Sequence, residues 1–259
     1  MTSLTDLFGK IEKLDKSLEE TIEAVEGLDG MEFVRHPLVT TIYGGEAHNA
    51  MLNMQLKQKR KALDEAIGTK NWSMYIWLHE RPFRMQAFLE LSNFFGFARD
   101  AHWKLTRKEY WSLLGEIWQD TEHPHVNLDT WQILWRTTQF GRTGSGARRE
   151  HYYMSDGERS VLNDLRKHRL QTVYRGYHIP QGADQPLMQG MSWTLDYKKA
   201  EWFSTRLKED GRSSYVAIGQ CVPSNIHAYF NGRGESEVVI DPQYVQVLQY
   251  VRTFGRGDS

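Results

Sequence analysis

Asn231-Gly232-Arg233-Gly234-Glu235-Ser236-Glu237-Val238-Val239-Ile240-Asp241 reads as a glycine-rich turn that runs straight into an apolar strand. Side chains at i and i+2 of a strand share a face, so Glu235 and Glu237 are predicted to project together. Adjacent carboxylates repel and raise each other's pKa, a cost that a plain surface strand has no reason to carry. A reaction that builds positive charge on a sugar does use such a pair.

Working upstream, the β-rich run Thr172-Val173-Tyr174-Arg175-Gly176 follows a helix predicted over 155–167. Further strands are predicted over 190–194, 214–221, 236–240 and 244–253, with one helix over 196–207 between them. The glycine- and serine-containing stretch from Phe140 to Arg149 lacks hydrophobic periodicity and marks the expected boundary between residues 1–148 and 149–259. It lacks the lysine-plus-hydroxyl ending of a phosphate loop and any preceding strand, so a basic linker is the reading.

The N-terminal part reads as helical. Leu4, Leu7, Ile11, Leu14 and Leu18 recur at steps of three and four, followed by Ile22 and Val25, and Gly27 and Gly30 punctuate the end. A second helix is predicted over 47–67. Its basic run Lys57-Gln58-Lys59-Arg60-Lys61 is read first as a solvated face. From Trp72 to Trp135 aromatic residues dominate, several at helical spacing, as in short helices around a bulky core, with Thr106 and Asp129 placed as N-caps. Helices first and strands later predict an α+β chain rather than a doubly wound sheet.

Composition narrows the function classes. The 259 residues carry a formal net charge of −1, so no global basic field marks a nucleic-acid binder. Cys221 is the only cysteine, which excludes an internal disulfide and a thiolate metal cluster. The N-terminus lacks the pattern of a signal peptide, and no apolar run approaches the ~20 residues that span a bilayer. A cytoplasmic protein without membrane contact is the expectation.

Three segments then stand in order: Arg175-Gly176 near a strand end, Ser192-Trp193-Thr194 on a second strand ahead of Trp202-Phe203, and Glu235-Ser236-Glu237. Each alone is commonplace. Together, over about residues 155–242, they resemble the arginine–serine–glutamate class of mono-ADP-ribosyltransferases, with the departure that Trp193 and Thr194 replace the second and third residues of the usual serine–threonine–serine motif. The resemblance implies a split β-sandwich behind a helical, aromatic-rich N-terminal region. It implies NAD as substrate, no metal, and transfer of ADP-ribose to a macromolecular acceptor. Glu237 then stabilises the oxocarbenium-like state and Glu235 deprotonates the acceptor. Arg175, with Gly176, addresses the cofactor's phosphates or adjacent ribose. Ser192, Trp193 and Thr194 count with Arg175 and Gly176 as cofactor-binding, Ser192 also fixing the Glu237 rotamer and Thr194 supporting the strand, and Phe203 stacks on nicotinamide.

In the family it resembles, a glutamate two positions before the catalytic one usually goes with arginine as acceptor, so the resemblance, through Glu235, implies protein arginine. RNA or DNA is the alternative, drawing on Lys57 to Lys61, Arg142, Arg148 and Arg149 for phosphate contacts. A catalytically inactive transferase-fold binding module is the second alternative, against which the intact Arg175, Ser192, Glu235 and Glu237 argue. The resemblance also implies a bacterial toxin, effector or phage-encoded modifier with a neutralising antitoxin partner. His123-Pro124-His125 lacks a third ligand and reads as a loop, and the terminal Arg256-Gly257-Asp258 reads as coincidence.

Overall fold

The structure, a computed structural model, describes residues 12–24, 30–92, 105–122, 124–136, 149–180, 190–206 and 212–253. Gly27, the loop from 140 to 148 with Arg142 and Arg148, His123, and the Arg-Gly-Asp tail lie outside the described residues, as do Leu4, Leu7, Ile11 and Val25. The chain is α+β, with two antiparallel sheets among the described residues. It divides into two compact units, Met1–Leu113 and Leu114–Ser259. That division falls inside a helix, well before the expected boundary at 148, because the aromatic helices 114–136 pack with the C-terminal sheet.

The first unit is not purely helical. Helix α1 (Lys16–Glu19) is one turn, capped by Asp15, and is followed by strands β1 (Ile22–Ala24), β2 (Glu32–His36) and β3 (Val39–Tyr43) in the order β1-β2-β3. The helical reading thus holds at Leu18 and is overturned at Ile22, which lies in a strand. β-Branched residues in Val39-Thr-Thr-Ile-Tyr43 favour a pleated surface, and pairing across a two-residue turn makes it pay. Leu14, Leu18, Val34, Leu38 and Val39 form one core with Leu52 and Leu56 of α2 (Asn49–Gly68). On α2 the basic run is partly neutralised, Lys59 by Glu80 at 2.7 Å and Arg60 by Asp15 at 3.0 Å. Helices α3 (Trp72–Leu78) and α4 (Arg84–Ser92) follow, and α5 (Arg107–Asp120) starts on a reciprocal cap in which Thr106 and Glu109 each accept the other's main-chain N–H.

In the second unit, α5 ends and α6 (Leu128–Arg136) begins after a 3-10 turn. Asp129 lies inside α6's first turn rather than at its cap. The indole of Trp118 meets Trp131 and Trp135 edge-to-face at 4.9 and 5.8 Å, the geometry that aromatic quadrupoles favour. Helix α7 (Asp156–Leu165) opens on a capping box between Ser155 and Glu158. The sheet then runs β4 (Gln171–Pro180), β5 (Ser192–Thr194), α8 (Tyr197–Arg206), β6 (Arg212–Cys221), β7 (Ile226–Phe230), β8 (Glu237–Ile240) and β9 (Val245–Thr253), ordered β7-β8-β5-β4-β6-β9. Strand β7 has no counterpart among the sequence expectations. Helix α8 lies on β4, where a Cβ at Gly176 would overlap the Ala200 carbonyl and sit 2.6 Å from the Ser204 nitrogen. Gly176 is therefore the point of helix–strand approach. Cys221 is buried in β6, and burial pushes its thiol up to about 11.

Candidate active site

Strand β8 begins at Glu237, and the residue before it decides how the two glutamates are presented. Ser236 has φ +47°, outside the extended region, so the two-residue alternation that would align Glu235 with Glu237 is broken. The expectation that both share a strand face is corrected accordingly: Glu235 belongs to the turn. Asn231 builds that turn, its carbonyl accepting Gly234 N–H at 2.8 Å and its Oδ1 accepting Ser236 N–H at 3.0 Å. Gly234, at φ +65°, supplies the left-handed residue. The Glu235 carboxylate pairs with Arg233 at 2.9 Å, while its main-chain carbonyl accepts Thr194 Oγ1 at 2.6 Å.

Antiparallel pairing of β5 and β8 places Thr194 opposite Glu237 and Ser192 opposite Val239, on one face, and turns Trp193 with Val238 to the other. Ser192 Oγ reaches diagonally to donate to Glu237 Oε1 at 2.5 Å. Trp118 Nε1 donates to the same oxygen at 3.3 Å. Both hydrogen bonds of Glu237 among the described residues fall on Oε1, which leaves Oε2 uncommitted. Glu237 is 7% exposed. Burial pushes its carboxyl above the usual range; the Ser192 hydrogen bond and the Arg233 charge pull it back, Glu235 adds to the rise, and the Trp118 N–H pulls it back again.

Arg175, on β4, donates through Nη1 to the main-chain carbonyl of Ser192. Gly190, at φ +130°, lies against the guanidinium, whose space any Cβ there would invade. Burial lowers the Arg175 pKa to about 10 against the opposing pull of Glu237, so the side chain is cationic at neutral pH. A relay results: Arg175 holds the backbone of β5, and Ser192 on that strand holds the carboxylate of β8.

The other predicted residues are placed differently. Trp193 is 2% exposed and reaches across to Gly219 on β6, so it fills the core instead of facing a ligand. Thr194 is buried, and its hydroxyl stitches the turn, accepting Asp196 N–H at 3.1 Å while donating to Glu235. Phe203 is half-buried on α8, edge-to-face against Trp202 at 5.0 Å. Trp118 and Gly190 have no forerunner among the sequence candidates. Trp118 sits at heptad distance from Trp111 and reads as core, and only tertiary packing reveals where its N–H points.

Just beyond β8, Asp241 is fully buried. Its Oδ2 accepts Arg136 Nε of α6 at 2.8 Å and His227 Nε2 of β7 at 3.3 Å, with Arg149 Nη2 against His227 Nδ1 at 3.2 Å. This network ties α6, and with it the tryptophan cluster, to the strand that carries Glu237. Among the described residues no helix is long and apolar enough to cross a membrane, and no group of three or more His, Cys, Asp or Glu is arranged to hold a metal ion.

No protein-family model, no curated protein and no solved structure matches this chain.

Proposed function

We propose that the chain is an NAD-dependent mono-ADP-ribosyltransferase whose second unit adopts the transferase-type split β-sandwich. The observation that carries the reading is the convergence of Arg175, Ser192 and Glu237 from three strands, with one oxygen of Glu237 anchored and the other uncommitted. In the proposed reaction the C1′–N glycosidic bond breaks and its electron pair leaves with nicotinamide, neutralising the pyridinium charge. Positive charge develops on the ribose, where the ionised Glu237 stabilises it and holds a ribose hydroxyl. Burial and the neighbouring Glu235 oppose ionisation, and the Ser192 hydrogen bond, the Arg233 charge and the Trp118 N–H counter them in part. The acceptor then bonds to C1′ and its proton passes to Glu235; when water is the acceptor, the result is NAD hydrolysis. Protein arginine is the favoured acceptor. A cytoplasmic toxin or effector with a neutralising partner is the role that goes with this reading.

The test is incubation of the pure protein with labelled NAD and whole-cell lysate, beside Glu237→Gln. Free nicotinamide and a protease-sensitive label, both absent from the variant, support the reading. Nuclease-sensitive label moves the acceptor to RNA or DNA. The absence of both nicotinamide and label from the wild-type protein's reaction overturns it.

A further inference from the structure

We propose that Trp118 is a positioning residue for Glu237, so that the aromatic helices 114–136 complete the candidate active site from outside the segment that resembles a transferase. The proposal rests on the reading of Glu237 as the catalytic carboxylate. Three observations carry it. The indole N–H reaches Oε1, the oxygen that Ser192 also holds, so the two donors bracket one side of the carboxylate and present Oε2. The plane of the indole is fixed edge-to-face by Trp131 and Trp135. Nor is an indole N–H in this cluster always matched: Trp131 Nε1 is buried without a hydrogen-bond partner among the described residues. Trp118, less than 2% exposed, therefore spends its single donor on the one carboxylate that the reaction uses.

The charged groups that act on Glu237 are Arg233 and Glu235 from the turn and Arg175 from β4. None changes in Trp118→Phe, which keeps an aromatic ring and removes the N–H. The expected result is a roughly tenfold loss of nicotinamide release at neutral pH, with the acid limb of the rate profile moved to higher pH, because a donor to the ionised carboxylate is gone. Trp72→Phe, a buried tryptophan of the first unit, serves as the control and is expected to lower thermal stability without moving that limb. An unmoved acid limb and unchanged release in Trp118→Phe overturn the proposal. A second readout does not need catalysis. The indole N–H resonance of Trp118, identified by its loss in Trp118→Phe, should titrate with pH in the wild-type protein and stop doing so in Glu237→Gln. If the wild-type protein releases no nicotinamide, the transferase reading fails, while a titrating resonance still upholds the contact; a pH-independent resonance overturns it.

Discussion

Gly190 lies against the guanidinium of Arg175, in a backbone conformation, φ +130°, that L side chains rarely adopt. A Cβ at this position would occupy the space of the cation that holds the Ser192 carbonyl. Gly190→Ala is expected to cost about 1–3 kcal/mol in stability through strain and displacement, and to reduce nicotinamide release more than stability explains. Thermal denaturation and release measured well below the variant's melting temperature separate the two effects. Wild-type release in a destabilised variant would detach Arg175 from the site.

Glu237→Gln should abolish nicotinamide release, by about a thousandfold or more, yet leave the fold as stable or more so. The folded carboxyl titrates above its ordinary value near 4.5, with burial as the main cause. The unfolded chain therefore loses this proton first as pH rises, and stability falls from there until the folded group has also ionised. Glutamine keeps an acceptor for Ser192 and Trp118 without the buried charge. The variant's advantage, about 1 kcal/mol, should be present at neutral pH and vanish in acid. Denaturant titrations at both pH values check this.

Glu235 is held apart from Glu237 by the turn at Ser236, with its carboxylate on Arg233. Glu235→Gln is expected to lose transfer to the acceptor while retaining NAD hydrolysis. Its charge contributes to the rise in the Glu237 pKa, so the acid limb of hydrolysis should move to lower pH in the variant. Equal loss of transfer and hydrolysis would remove the acceptor-activating role.

Asp241 is the buried anchor between α6 and the sheet. Burial raises its carboxyl, but the hydrogen bonds from His227 and Arg136 outweigh that and hold it below the ordinary 3.8. Its stabilising effect is complete above that value and is lost as pH falls through the lower folded value. Asp241→Asn is expected to cost about 2 kcal/mol at neutral pH, less than a fully buried pair because Arg136 is 42% exposed. The variant should also show a shallower loss of stability below pH ~4, measurable by thermal melts across the acid range.

The second unit was legible where local signals agree with tertiary placement. The helix expected from Ser155 is α7, the imperfect alternation after Tyr244 is β9, and Ser192 does bond Glu237, whereas the hold of Arg175 on the Ser192 carbonyl had no counterpart in the sequence. The first unit was less so, because leucines at steps of three and four through Leu18 continue in register into Ile22, which pairs with Val34 as a strand. Strand β7, Ile226-His-Ala-Tyr-Phe230, is short and follows a Pro-Ser-Asn turn, and only its pairing with β8 distinguishes it from loop. Periodicity could place Glu235 and Glu237 on one face only by assuming an extended Ser236. The positive φ there arises from the Asn231 side chain capturing the Ser236 N–H, a contact that no two-residue rule contains.

Trp118 and Glu237 stand 119 residues apart, and Ser192 and Glu237 stand 45 apart. Closing loops of that length costs entropy that is recovered only when the distant partners have met. During synthesis the aromatic helices and β4 leave the ribosome long before β8 exists to receive them. The relay through Arg175 and Ser192 thus ends in nothing until β8 pairs with β5. A nascent chain that ends short of the turn at 231–236 carries Trp118, Arg175 and Ser192 but neither glutamate.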